Sequence, residues 1–461
     1  MMHISGQGKD PDDEKPEGRK PDGASIPDQN LALPALPAQS NPDSSSSAVR
    51  FHGVAAPTIA FIVLGTFGGA VATLVPMAFS LALRIDQLAP GRPELLGFIL
   101  AVSAAAALVA SPLTGVLSDH TRSRWGKRRP YTVLGVAVGA SAVPVLILAE
   151  DVLLLGAGWV VCSLGFNTAA SSVRNFQADH LAPGQRGKVS GFTSLTMQVA
   201  PVIGILVVGA VVQSTALLFV LPAALGAVSL LSFALFVHEP SSAAARFADR
   251  LSVIRVVRGY GFHPRLAPDF AWLWLGRFFV FGGLALTTSY STFFYAQRLG
   301  LQVAEVAAIL AVTAILSVLS LSTGSLGAGW LSDRMGRRRP FVVVGGIVSA
   351  VGCALAAAAW TLPTLLAASF LMSFGVAIFM SVSSAIGLDV LPERDTQAGR
   401  YMAILMFSQR IPSVLAPLVG PFLLSLPGGP SSGNFGALYL AAGTMLAVGS
   451  SLITTMVRGV R

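Results

Sequence analysis

Charged side chains are scarce in this chain. Asp, Glu, Lys and Arg together make up 11% of its 461 residues, while 53% are hydrophobic. A mean hydropathy of +0.69 is more apolar surface than one soluble core can hide, which excludes an ordinary soluble enzyme or binding domain. Cysteine is nearly absent. Cys162 and Cys353 each sit in an apolar run and read as small buried hydrophobes, not as a disulfide or a metal site. The six histidines, His3, His52, His120, His180, His238 and His263, fall in the N-terminal stretch, in loops or at helix ends, with no acid or cysteine at metal-ligand spacing. No metal, no cofactor and no enzymatic nucleophile–base pair is therefore expected. The N-terminal stretch also lacks the apolar core of a signal peptide, so the first long apolar run is expected to target the membrane itself.

Long apolar runs dominate what is present. Twelve are long enough for a bilayer-spanning helix, which needs about 20 residues: 54–83, 95–117, 131–149, 152–176, 190–212, 215–237, 270–296, 304–331, 340–360, 363–388, 400–425 and 435–457. Each is continuously apolar, not alternating, which favours helices over a barrel, because a backbone in lipid must satisfy its own hydrogen bonds. The opening residues, rich in Pro, Ser, Asp and Lys, have little to bury and read as a disordered tail over 1–53.

The net charge of +9 could suggest nucleic acid, but its placement argues otherwise. Arginines and lysines crowd alternate loops: Arg122, Arg124, Lys127, Arg128 and Arg129 after the second run, Arg186 and Lys188 after the fourth, and Arg246, Arg250, Arg255, Arg258 and Arg265 after the sixth. Arg334, Arg337, Arg338 and Arg339 follow the eighth, and Arg394 and Arg400 the tenth. The other loops hold only Arg84, Arg92 and Arg298. Positive residues mark cytoplasmic loops, so both termini are expected in the cytoplasm of a multi-pass protein of the plasma (inner) membrane. The basic balance needs lipid headgroups at most and no nucleic-acid partner.

The chain also repeats itself. GKRRP at Gly126 and GRRRP at Gly336 lie 210 residues apart, as do Asp179 and Asp389, and Gly165 and Gly375; Gln198 and Pro201 meet Gln409 and Pro412 at an offset of 211. This register divides the chain into a six-helix half over 54–238, a cytoplasmic linker over 239–269 and a second half over 270–461. Gly115-x-x-x-Asp119 followed by Gly126-Lys-Arg-Arg, and Gly329-x-x-x-Asp333-Arg-x-Gly336-Arg-Arg-Arg, resemble the signature of the major facilitator superfamily. The resemblance covers about 54–457 and implies an all-α membrane protein of twelve helices in two pseudo-symmetric halves, working as a transporter. The first copy carries four extra residues between Asp119 and Gly126. That longer spelling, with QADHLAPGQRGKVSG after the fourth helix, is similar to the glycoside-pentoside-hexuronide cation symporters and the sucrose-type carriers.

An acid just past a helix C-terminus sits at the negative end of the helix dipole, a position that costs a few tenths to about 1 kcal/mol. Asp119 and Asp333 occupy it, so each is expected to serve a neighbour: an arginine, or a helix N-terminus of the opposite half. The resemblance implies that such contacts hold the cytoplasmic side shut. Gly115 and Gly329 would let helices approach closely. Gly126, Arg128, Arg129, Arg334, Gly336 and Arg338 complete the gating candidates, although the arginines also serve as topology signals.

Polar residues inside spans are costly and mark function. Helices 1, 4, 7 and 10 line the central cavity in the resembled superfamily. Arg277 lies about seven residues, roughly 10 Å, into the seventh run, and Arg410 sits beside Gln409 near mid-depth in the eleventh. Asn167 and Ser171 on the fourth run and Tyr290 on the seventh complete the substrate-binding candidates. Thr168, Ser172, Arg174 and Asn175 lie nearby, the last two closer to the cytoplasm. Hydroxyls, amides and aromatics suit a polyol or sugar. No Asp or Glu lies near the middle of any run. Coupling to H+ or Na+ would therefore use an end-placed acid, Asp179 or Asp389. Otherwise the carrier is a uniporter, or its substrate is an anion read by Arg277 and Arg410. The reading is a secondary transporter of a sugar or glycoside with cation symport, the alternative being a proton-coupled exporter of drugs or small metabolites. A monomer in the lipid bilayer with a small-molecule substrate is expected.

Overall fold

The computed structural model describes residues 53–243, 264–265, 267–392, 394–428 and 433–457. The expected tail up to residue 52 and the middle of the expected linker, 244–263, lie outside them. Among the described residues all regular structure is helical. Twelve spans are long and apolar enough to cross a membrane. In the first half these are α1 (Ala56–Leu88), α2 (Glu94–Asp119), α3 (Arg129–Leu148), α4 (Val152–His180), α5 (Pro183–Gly209) and α6 (Thr215–Phe236). In the second they are α7 (Pro268–Leu299), α8 (Val303–Met335), α9 (Arg339–Ala358), α10 (Leu362–Asp389), α11 (Arg400–Leu424) and α12 (Phe435–Met456). The chain is a multi-pass membrane protein.

Local signals fix the helix ends. Pro130 and Pro340, the prolines closing the two basic clusters, stand in the first turns of α3 and α9, where a missing N–H costs nothing. Gly126 (φ +87°) and Gly336 (φ +60°) adopt the left-handed conformation that reverses the chain before those helices. Asp151 and Asn434 cap α4 and α12, accepting from Leu154 N at 2.7 Å and Ala437 N at 2.9 Å.

The duplication is visible in the packing. In the first half α1 packs on α6, α3 on α4 and α2 on α4; in the second α7 packs on α12, α9 on α10 and α8 on α10. The α3–α4 crossing is made by glycine: a Cβ on Gly135 would lie 2.6 Å from the Gly165 carbonyl oxygen. The α9–α10 crossing repeats it 210 residues later, where a Cβ on Gly345 would lie 2.8 Å from the Gly375 oxygen. With no hydrophobic drive between helices in lipid, such backbone-to-backbone approach supplies the van der Waals contact that holds them. The two halves meet through α2 against α11 and α5 against α8.

A proline inside a helix leaves the carbonyl four residues earlier without a donor, and at two such prolines a side chain from a neighbouring helix takes it up. Pro222 in α6 frees the Leu218 carbonyl, which accepts from Ser80 Oγ at 2.9 Å. Pro421 in α11 frees the Pro417 carbonyl, which accepts from Tyr290 Oη at 2.7 Å.

Gly165→Leu and Gly375→Leu should each overpack their crossing by about 1–3 kcal/mol or more. Both are expected to lower the melting temperature and the monodisperse yield in detergent. Gly184→Ala, whose added Cβ meets nothing within 4 Å, should behave as the native chain, and equal behaviour of all three would contradict the crossings.

Candidate functional site

Between the halves lies a cavity of about 410 Å³ lined by α1, α2 and α4 of the first half and α11 of the second, a size suited to a small molecule. On α4 the lining residues Asn167, Ser171 and Arg174 follow i, i+4, i+7 spacing and so share one face. On α2, Ala104, Leu108 and Ser111 form a similar stripe, and α11 contributes Gln409, Arg410 and Ser413. Four of the six expected substrate residues, Asn167, Ser171, Gln409 and Arg410, are thus brought together. Arg174, read from sequence as lying closer to the cytoplasm, joins them, and its guanidinium donates to Ser171 Oγ at 2.8 Å.

Arg277 and Tyr290 are not in the cavity lining. Arg277 is buried, donates to Ser383 Oγ on α10 at 2.9 Å and lies 5.2 Å from the Phe281 ring centroid. Depth placed it correctly in α7, but its helical face turns into the second half. Tyr290, fully buried, belongs to a seal at the end of the bundle opposite the basic loops. Its ring fills the space over Gly97 of α2 and Gly420 of α11, where any added Cβ would collide with it. Two further contacts close that far end: Thr292 Oγ1 of α7 donates to the Ala78 carbonyl of α1, and Gly209 of α5 lies against Ala307 of α8. At the basic end the corresponding face of α2 is open. A Cβ on Gly115, one turn below Ser111, would meet nothing within 4 Å, and one on Gly329 would meet only Ser381 Oγ, at 3.2 Å. The close approach expected at Gly115 is therefore not made in this conformation.

The basic loops carry two ion-pair clusters of different depth. In the first half Arg128, its side chain only 4% exposed, bonds Asp179 Oδ2 through Nε and Nη2 at 2.9 Å, Ser118 Oγ through Nη1 at 2.9 Å, and Asp119. Lys127 Nζ adds a pair to Asp179 at 3.0 Å. Asp119 thus does serve an arginine, and in this conformation that arginine belongs to its own half. Glu239 was missed by sequence reasoning, which placed it in the linker. It is buried and accepts from the backbone N–H of Arg128 (2.9 Å) and Arg129 (3.1 Å), so its carboxylate caps the N-terminus of α3. Gly126 leaves it room, since a Cβ there would collide with the Glu239 carboxylate. Ser242 fastens the same loop, bonding Thr121 O at 2.8 Å. Arg129 donates to the Ala234 and Leu235 carbonyls at the end of α6, and Arg339 repeats this 210 residues later on Val457 O at the end of α12 (2.7 Å).

In the second half Arg338 pairs with Asp389, the counterpart of Arg128 with Asp179. Asp333 and Gly336 are exposed. Arg334 lies over the Trp330 ring, 5.3 Å from its centroid. Both coupling candidates, Asp179 and Asp389, are therefore held by arginines of the basic end and not placed in the cavity. Among the described residues no group of His, Cys, Asp and Glu could hold a metal ion.

Twelve spans in two repeated halves, crossed by α2–α11 and α5–α8 around a central cavity, define a membrane transporter fold. The model of the Major Facilitator Superfamily matches residues 57–328 and 318–459, and the chain belongs to that superfamily. It is similar to the uncharacterized MFS-type transporter YdgK of Bacillus subtilis (strain 168), 32% identical over 109 residues, which make up 23% of this chain and 26% of that relative. In fold it is similar to a point mutant of the nucleoside transporter NupG, with TM-score 0.69 and 13% identity over 87% of this chain and 99% of that one. A bacterial homolog of the human lysosomal transporter Spinster, in an inward-facing, unoccupied conformation, aligns with TM-score 0.64 and 17% identity over 87% and 96% of the two chains.

The two arginines at equivalent positions should differ in weight. Truncating buried Arg128 removes its bonds to Asp179, Asp119 and Ser118 and leaves Lys127 as the acids' remaining partner, so Arg128→Ala is expected to cost about 2–3 kcal/mol. Arg338 and Asp389 are half-exposed, and Arg338→Ala should cost less than about 1 kcal/mol. Thermal unfolding in detergent compares them, and equal losses would contradict the difference in burial.

Proposed function

We propose that the chain is a secondary active transporter that carries a small polar solute across the plasma (inner) membrane by alternating access, with its basic end in the cytoplasm. The observation that carries this reading is the asymmetry of the cavity: packed shut by Tyr290, Gly97 and Gly420 at one end, open beside Gly115 at the other, with polar side chains from both halves between. Rocking of the halves would exchange the two ends. In that motion α2 closes on α11 and Asp119, beside them, becomes the latch. Asp333 and the arginines Arg334 and Arg338 would act likewise in the second half.

A sugar or glycoside moved by cation symport is the finer reading, and it rests on the longer spelling of the first basic cluster. The amides of Asn167 and Gln409 support directed hydrogen bonding to such a solute. The described lining contains no aromatic ring on which a sugar face could stack and no acid to take up a coupling proton. The same lack of an acid and of aromatics leaves a proton-coupled drug exporter without a supporting observation.

Purified protein in proteoliposomes should accelerate counterflow of a solute drawn from neutral and acidic sugars, on the order of tenfold or more above protein-free vesicles. An imposed H+ or Na+ gradient should bias net uptake. Expulsion of a cationic dye with no solute uptake would overturn the reading. Gly115→Leu adds a side chain into open space, so it should fold and melt like the native chain. It should nonetheless slow counterflow about tenfold or more by blocking closure of α2 on α11, and undiminished transport would remove the gating role of that face.

A further inference from the structure

We infer that the transported solute is a small organic anion, bridged between Arg174 of one half and Arg410 of the other, and that its negative charge is what permits the open end to close. The inference rests on the transporter reading above and specifies its substrate class.

The donor and acceptor inventory of the cavity carries the argument. Most of its hydroxyls spend their one donor on their own helices. Thr168 Oγ1 donates to Leu164 O at 2.8 Å, Thr114 Oγ1 to Ser111 O at 3.1 Å and Ser413 Oγ to Gln409 O at 2.8 Å. The Asn167 amide N–H likewise goes to Ser163 O at 2.8 Å. The Gln409 amide and the Asn167 amide oxygen also face the cavity, but the only charged groups in its described lining are two guanidiniums, each with five N–H donors and no acceptor. Arg174 uses one donor on Ser171. No carboxylate pairs with either arginine among the described residues, and no lining residue there is acidic. This sets them apart from Arg128 and Arg338, each of which has an acid beside it. A neutral polyol would leave both charges uncompensated, whereas a carboxylate or phosphate offers only lone pairs and matches guanidinium geometry in two-point contact.

The two charges also sit on opposite moving parts. Arg174 is on α4 and Arg410 on α11, and two like charges lining one cavity repel. Closing the basic end brings the halves together, excludes water and strengthens that repulsion. An anion between the two reverses its sign. The empty carrier is therefore held open and the loaded one is free to close, a coupling between binding and conformation that favours exchange over net flux.

The test uses the full chain in detergent and in proteoliposomes. The probes are succinate and inorganic phosphate against neutral succinamide and equal ionic strength of chloride, each read by thermal unfolding. At least one of the two anions should raise the melting point saturably, and succinamide should not. Arg174→Gln and Arg410→Gln should each weaken that response on the order of tenfold, while Arg277→Gln, remote from the cavity, keeps it. In vesicles, exchange of the stabilising anion should exceed its net efflux on the order of tenfold, and Arg410→Gln should narrow the gap. The inference is overturned if succinamide stabilises as well as the anions, if neither anion exceeds chloride, or if the response survives in the double variant. Counterflow of neutral sugars that persists in Arg174→Gln and Arg410→Gln would defeat the anion and leave the transporter reading standing. Absence of counterflow for every solute would defeat the transporter reading itself.

Discussion

The conformation depends on one carbonyl group. Pro421 cannot donate to the Pro417 oxygen four residues before it, and in hydrocarbon an unpaired carbonyl is costly. Tyr290 supplies the missing donor from α7, and to reach it the ring must lie across α11, where Gly420 leaves room. Gly97 of α2 then receives the other side of the ring. One proline thus fixes a tyrosine, the tyrosine fixes α7 on α11, and a glycine lets the first half seat against both. The far end is sealed, and the space that opens between the halves on the other side is the cavity.

The basic end is built differently. Its contacts lie within each half: Arg128 with Asp119 and Asp179 in the first, Arg338 with Asp389 in the second. Arg129 and Arg339 close the last turns of α6 and α12. These keep each half rigid at the end that has to move as a body. Glu239 strengthens only the first half, where the longer loop between Asp119 and Gly126 needs an anchor and finds it in the chain leaving α6. The extra residues that distinguish the first basic cluster are therefore accompanied by an extra acid.

Most of the fold was legible because lipid makes sequence simple: each span declares itself by length and continuous apolarity. The 210-residue register was legible too, and it extends to pairs not singled out from sequence, such as Gly135 with Gly345. Rotation about each helix axis was harder. Arg277 and Arg410 both lie inside spans, yet one faces Ser383 within its half and the other faces the cavity. Tyr290 looked like a sugar platform and is instead a seal. For α4 the signal was present, since Asn167, Ser171 and Arg174 keep helical spacing along one face, and following that face would have promoted Arg174. Glu239 gave no sign, because capping across 111 residues depends on where α6 ends in space.

The central claim is that the two ends of the cavity open and close in opposition. Pulsed electron–electron distances between spin labels test it most directly, with one pair at Leu117 and Met406, both exposed near the open end, and another at Arg92 and Ser425 near the sealed end. Both native cysteines are buried, so introduced cysteines can be labelled selectively. Saturation with a transported solute should shorten the first distance and lengthen the second in the same population. Distances that stay fixed, or that shorten together, would contradict the account.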